Sequence, residues 1–213
     1  VTLTRPLAIW SDAGLGLARG DRLALDRAAG SFLITFGGLN LTGASITGTP
    51  GTNPRAPMFR PFALSTGAGH VTLQDSRLSD LGFGASGLFG GLTIAPTGLA
   101  ADPTPVLIRA SRFSDVLRLT LLRTEQSRIA DTECTRTALR LSGSRHSRIT
   151  GHQFDAAAAK PTLRVRAGFS DVIITANSFA ALGTTAIAAQ DGTGLQIIAN
   201  QIEGQMQNGL TLD

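Results

Sequence analysis

Tyrosine is absent from this chain, cysteine occurs once, at Cys134, and lysine occurs once, at Lys160. A single cysteine excludes an internal disulfide. Three scattered histidines, that one cysteine and few paired acids do not assemble a zinc site, and no acidic cluster suits calcium. No glycine-rich phosphate loop stands between a strand and a helix, so neither a metal nor a cofactor is expected. Charged residues make up 16% of the chain, below the usual figure of about 25%. Long hydrophobic runs are missing as well: the longest uncharged stretch, 28–54, is broken by Gly, Ser, Thr and Pro, which excludes a helical membrane span. Amphipathic helical periodicity is also lacking. The near absence of lysine and the lack of tyrosine, a base-stacking side chain, argue against nucleic acid as a partner.

What the chain has in quantity is glycine, 25 residues, and arginine, 18 of its 19 basic residues. Glycine at that level suits short strands joined by tight turns. A GC-rich coding sequence competes as the cause of the arginine bias. Position adds to it, however: nine arginines fall between Arg109 and Arg148 against four acids, Asp115, Glu125, Asp131 and Glu133, a local net charge of +5. Charge concentrated in one block implies an anionic partner on that face. The 213 residues suffice for one well-buried domain over 1–213. Because the chain opens directly in strand-like VTLT and stops in GLTLD with no visible signal peptide, it is expected to be a mature or trimmed portion of a longer protein.

A repeat decides the fold. Seven segments place an apolar residue five positions after another with small or polar residues between: LTGASI (41–46), LQDSRL (73–78), IRASRF (108–113), IADTEC (129–134), ITGHQF (149–154), ITANSF (174–179) and IIANQI (197–202). Their first residues are 32, 35, 21, 20, 25 and 23 apart. The last four spacings are those of solenoid coils, and the two long ones read as coils with loop insertions. Between them lie segments alternating apolar and other residues, GGLTIAP (90–96), VLRLTLL (116–122), TALRLSG (137–143), PTLRVRA (161–167), TAIAAQD (185–191) and NGLTLD (208–213), the period of a strand with one buried face. Leu139 to Ile149 and Ile187 to Ile197 are both ten residues, so each coil contributes at least two strands to different sheets. An all-β, single-stranded right-handed parallel β-helix with coils of about 20–25 residues is predicted. A β-sandwich is the alternative, disfavoured because sandwiches do not repeat strands at a fixed coil length. The fourth repeat position holds Ser76, Ser111, Thr132, His152, Asn177 and Asn200, side chains suited to a hydrogen-bonded ladder, which makes His152 a turn residue rather than a catalytic one.

If Leu139 and Leu141 point inward, Arg140 points out, and Arg164 and Arg166 do the same in the next coil. Aligning Leu139, Leu163 and Ile187 stacks Arg140 on Arg164 and then on Ala188. Arg118 is outward by the same parity, with its register open by two residues. Stacked like charges are unfavourable unless neutralised. Splayed, solvated arginines beside acids such as Glu125 are one resolution; a groove for a polyanion is the other. A polyuronate fits, because arginine pairs well with carboxylates.

The run TAIAAQDGTGLQIIANQIEGQMQNGLTLD (185–213) resembles a segment of the periplasmic mannuronan C5-epimerases of alginate biosynthesis, in which a strand ending in Asp-Pro-His-Asp is followed by a short turn, an IIAEN-like strand and a GIII-like strand. FRPFALSTGAGHVTLQDSRLSDLGFGASGLFGGLTI (59–94) resembles that family's stretch with an aromatic after Arg, a Gly-rich turn, a strand, and LGF before a YGL-like strand. The similarity extends over roughly residues 30–213. It implies a right-handed β-helix of the bacterial periplasm, or a secreted one, that inverts C5 of mannuronate within the polymer, in contact with a polysaccharide secretion complex. Laid on this chain, Asp-Pro-His-Asp falls on Ala188, Ala189, Gln190 and Asp191, so only the last Asp is retained. C5 epimerisation needs a base, a proton donor on the opposite face, and cationic neutralisation of the developing dianion. Gln190 can hydrogen-bond but cannot act as a base.

Three readings follow. The first is an epimerase-like enzyme in which Arg118, Arg140, Arg164 and Arg166 neutralise carboxylates, Asp191 positions the sugar, and Gln190 occupies the place of the base. Its base would be His146, if the turns at 144–147 and 192–195 stack and bring His146 near Asp191, or else a residue that the sequence does not single out; a solvated turn histidine is the competing reading of His146, as it is of His70. The second is an inactive relative that binds or guides an anionic exopolysaccharide with the same arginines. The third is a polyuronate lyase, which shares the proton abstraction. With Trp10 as its one tryptophan and only scattered Phe, a carbohydrate module of the aromatic-platform type is disfavoured.

Overall fold

The computed structural model describes residues 1–67, 69–84, 87–96, 105–156, 162–181, 185–204 and 208–213; Pro161 of the predicted strand 161–167 lies outside them. Among the described residues there is no α-helix, only a 3-10 turn at Gly87–Phe89. The strands form three parallel sheets of nine, nine and eight strands. Each coil visits them in the same order, and every sheet neighbour comes from the coil before or after. The result is a right-handed parallel β-helix, as the repeat predicted. It has three sheets where the sequence pattern specified at least two.

One coil shows how residues dictate the path. Glu133–Thr135 lies in the first sheet, Ala138–Ser142 in the second and Arg148–Thr150 in the third. Leu139, Leu141 and Ile149 are buried, and the strands of neighbouring coils pair so that Leu139 faces Leu119 on one side and Leu163 on the other. The core is thus a set of like-with-like columns. In the first sheet Phe113, Cys134, Phe154 and Phe179 succeed one another, with the Phe154 and Phe179 rings stacked at 4.8 Å. Each fully buried Phe contributes roughly 1.5–3 kcal/mol by apolar transfer. Burial pushes the Cys134 thiol up to about 12, so it serves as a small apolar filler rather than a nucleophile.

The six-residue repeat spans the corner from the third sheet to the first. Its third residue is left-handed in every coil: Gly43, Asp75, Ala110, Asp131, Gly151, Ala176 and Ala199 have φ between 49° and 68°. Its fourth residue turns inward and forms the ladder. The Ser76, Ser111 and Thr132 hydroxyls donate to carbonyls of their own corner, those of Gln74, Arg109 and Ala130. Asn177 and Asn200 bridge coils, their amides donating to the Ile149 and Ile174 carbonyls. His152 is 1% exposed in this ladder. Its backbone N–H donates to Asn177 Oδ1 at 2.9 Å, while its ring nitrogens make no well-formed hydrogen bond and only approach the backbone of Ile129 and Thr132.

The two long coils carry their extra residues at corners. One insertion, 49–62, follows Ser45–Gly48, and the next coil lengthens at 80–90 and again between Ala95 and Val106. Phe32 and Phe62 stack on the outside of the second sheet at 4.8 Å, and Phe89 stacks on Phe62 at 4.5 Å. Phe62 and Phe89, at the ends of the insertions 49–62 and 80–90, therefore cover the outer face of that sheet.

Candidate functional site

The outer face of the second sheet continues from these aromatic rings into arginines. Arg140 lies opposite Arg164, and Arg164 opposite Ala188, at an interstrand spacing of about 4.8 Å. Arg166 faces Ser142 on one side and Gln190 on the other. Arg118 takes the register of Ala138, so Thr120 rather than Arg118 precedes Arg140 in its column. The four guanidinium groups run diagonally across three coils.

Electrostatics mark Arg140 as the centre of the group. Partial burial, and then the positive charges of Arg166, Arg118 and Arg164, hold its guanidinium below the ordinary arginine value. Among the described residues, Arg140, Arg164 and Arg166 make no ion pair, and the Nε atoms of Arg140 and Arg166 are buried without a hydrogen-bond partner. Two arginines on or beside the first sheet are placed differently: Arg112 pairs with Glu133, and Arg136 with Asp115. Glu125, a candidate counter-charge for the arginine stack, is engaged by His146 instead.

Residues that alternation could not single out complete this face. Thr93 and Thr120 follow one another in the column that leads to Arg140; both are fully buried with hydroxyls unpartnered among the described residues. A Cβ added at Gly90 would stand 2.8 Å from Arg118 Nε, and one at Gly87 4.0 Å from Arg140 Nη1. The segment 87–90 thus lies against two of the arginines, and glycine is what lets it approach. The Gly-Gly pair at 90–91 is the sequence signal for this contact.

The other candidates are placed elsewhere. The turns at 144–147 and 192–195 do not stack directly: Arg145 pairs with Ser170, and Ser170 pairs with Thr193, so the turn of the intervening coil separates them. His146 accordingly faces Asp171, not Asp191. Its Nδ1 is 3.3 Å from Glu125 Oε1 and its Nε2 is 3.4 Å from Asp171 Oδ2. Gln190 is exposed beside Arg166. Asp191 is a corner residue with φ 58°, set opposite the extra residue of a bulge: Arg166 pairs with Gln190 and Phe169 with Gly192, leaving Ala167 and Gly168 against Asp191 alone. The same corner is left-handed at Arg123, Gly143 and Ala167 in earlier coils. Asp tolerates that conformation better than most residues, so the backbone alone accounts for its presence. Among the described residues no group of three or more His, Cys, Asp or Glu could hold a metal ion, and no helix is long and apolar enough to cross a membrane.

The class defined by this architecture is a right-handed parallel β-helix with a cationic outer face on one sheet. No protein-family model matches the chain, and no curated protein does. Among solved structures it is similar to the periplasmic alginate epimerase AlgG, with a TM-score of 0.68 and 14% identity over 99% of this chain and 61% of that one. Two point variants of AlgG align with TM-scores of 0.69 and 0.62, at 14% and 13% identity, over 99% of this chain and 59% and 60% of theirs. At that identity the likeness shows the fold. The chain spans about three-fifths of the length of the AlgG chains it matches.

Proposed function

We propose that this chain binds an anionic polysaccharide of the polyuronate type across the outer face of its second sheet, with Arg118, Arg140, Arg164 and Arg166 receiving carboxylates. One observation carries the reading: arginines on adjacent coils stand together, Arg140 partly out of water, without described carboxylates for Arg140, Arg164 and Arg166, whereas Arg112 and Arg136 are each ion-paired. A partly desolvated guanidinium cluster held apart from counter-charges is stabilised by incoming anions. The β-helix likeness to an alginate epimerase supports a saccharide as the bearer of those anions, and with it a place in the periplasm or outside the cell beside a machinery that exports polysaccharide.

Binding without epimerisation is the form of this reading that the site supports. Gln190 supplies no base at the place where the resembled family carries histidine, and His146 is turned to Glu125 and Asp171. C5 epimerisation is the second reading, favoured by Asp191 next to Gln190 and by Arg166 facing Gln190. The two separate in deuterated water. Polymannuronate incubated with the protein is expected to keep its C5 protons and to bind in a salt-sensitive manner; deuterium at C5 with new guluronate signals establishes the epimerase, and an unsaturated product absorbing in the ultraviolet establishes a lyase. Changing Arg140→Ala and Arg164→Ala together is expected to weaken polyuronate binding about 100-fold or more, from two charged hydrogen bonds of roughly 1.5–3 kcal/mol each. The same change should flatten the salt dependence. Unchanged affinity removes the basis of the proposal.

A further inference from the structure

A second cavity lies around the corner from the arginines, over the third sheet, with a volume of about 590 Å³. That size falls within the usual range for ligand sites. None of Arg118, Arg140, Arg164 or Arg166 lines it. Its walls include His70, Pro105, Leu107, Gln126, Arg128 and His146, drawn from four consecutive coils. The register explains the collection. Val71 pairs with Val106 and Leu107 with Arg128, so His70, Pro105 and Gln126 occupy equivalent places on successive coils, and the pairing of Glu125 with Arg145 puts His146 next. Three coil steps of about 4.8 Å make a trough roughly 14 Å long.

The lining has a definite chemistry. Leu107 is 39% exposed on the outer face of a strand, and with Pro105 it forms an aliphatic floor. Gln126, His70 and the Arg128 guanidinium stand along that floor, and Arg128 makes no ion pair among the described residues. Glu125 and Asp171 flank the His146 ring on both sides, at 3.3 Å from Nδ1 and 3.4 Å from Nε2. An aliphatic strip flanked by polar groups repeating once per coil, with Arg128 at its side and Arg148 in register one coil on, matches a pyranose chain: C–H faces lie on the strip, hydroxyls meet the amide and imidazole, and a carboxylate meets Arg128. A hydrophobic peptide would leave these polar groups unsatisfied, and a polyphosphate has no C–H face to lay on Leu107 and Pro105.

We propose that this trough is a second saccharide site that takes a short run of acidic sugar units, separate from the arginine face. The proposal uses the trough's own residues, and borrows from the functional reading only its choice of probe. The three histidines provide the readout: His70 and His146 line the trough, and His152 is buried in the core. Their Hε1 proton resonances, assigned with His70→Gln and His146→Gln, are followed while a mannuronate tetramer is added to the Arg140→Ala/Arg164→Ala protein. The expected result is movement of the His70 and His146 signals, none of His152, and a half-saturation concentration raised about tenfold or more by adding Arg128→Ala. Absence of any shift of His70 and His146 at millimolar tetramer overturns the proposal, as does an unaltered half-saturation with Arg128→Ala. Failure of the arginine-face reading shows separately, as unchanged polymer affinity in the Arg140→Ala/Arg164→Ala protein.

Discussion

Replacing His152 by Asn should make the β-helix less sensitive to acid. The ring is 1% exposed and neither of its nitrogens makes a well-formed hydrogen bond. Burial is the main cause that holds its pKa down, at about 4 against 6.5. Between those two values the unfolded chain binds a proton that the native chain refuses, so stability falls as pH falls through this window. The gap corresponds to roughly 3 kcal/mol in all, most of it lost by pH 4.5, at about 1.4 kcal/mol for each pH unit. The replacement has a template one coil further on. Asn177 donates from its amide to Ile149 O and accepts from His152 N–H; an asparagine side chain introduced by His152→Asn and set the same way would donate to Ile129 O and accept from Thr132 N–H. Satisfying buried polar groups contributes about 1–3 kcal/mol, offset in part by loss of the His152 stack on Phe154 at 5.5 Å. Urea midpoints of both proteins at pH 7 and pH 4.5 test this. The variant is expected to be at least as stable at pH 7 and to lose roughly 2–3 kcal/mol less on acidification, a difference that cancels the carboxylates common to both. Equal acid losses in the two proteins would refute the assignment of the pH dependence to His152.

Two further changes probe the corners. Ala110 and Ala176 hold φ of 49° and 54° at the corner where other coils use Gly43 and Gly151, so Ala110→Gly and Ala176→Gly should each raise stability, by about 1 kcal/mol at most; a lower melting temperature for both would show that the corner is not strained by alanine. Asp191→Asn keeps a side chain that tolerates φ 58° and removes the carboxylate. Polyuronate affinity is expected to be unchanged or slightly tighter, with stability within about 0.5 kcal/mol, and a loss of binding in titration calorimetry would make Asp191 a contact rather than a corner.

The coil repeat was legible because a hexad anchors one apolar residue in the third sheet and one in the first, as Ile129 and Cys134 do. The existence of that first sheet was harder to see: its strands are often three residues long, such as Arg112–Ser114 and Glu133–Thr135, too short for alternation to register. The left-handed column was hidden by its composition, since Gly43, Asp75 and Ala110 share a backbone conformation and little else. On the site, parity sufficed to stack Arg140 on Arg164 because Leu139 and Leu163 fix the register. It could not place His146, for the corner to the third sheet differs in length between coils, and one intervening turn replaced Asp191 by Asp171 as its neighbour. Nor could it reveal that 87–90 rests on Arg118 and Arg140, a contact made by an insertion outside the repeat.

The arrangement of acids is what separates the two faces of this helix. On the first sheet, Glu133 and Asp115 are in register to meet Arg112 and Arg136 from neighbouring coils, and exposed pairs of that kind add little, about 0–1 kcal/mol each. On the second sheet the equivalent neighbours of Arg140 and Arg164 are Thr120 and Ala188. One substitution at position 188 would bring a carboxylate there, yet Arg140 sits among three other cations and partly out of water. A fold stabilised only for its own sake would gain by placing Glu at position 188, since Thr120 is fully buried and has no room for one. Ala188→Glu is therefore a discriminating change: it should leave stability unchanged or raise it slightly by pairing with Arg164, while weakening polyuronate binding several-fold by occupying the guanidinium that the polymer needs. Greater stability with undiminished binding would mean that the anion lies elsewhere.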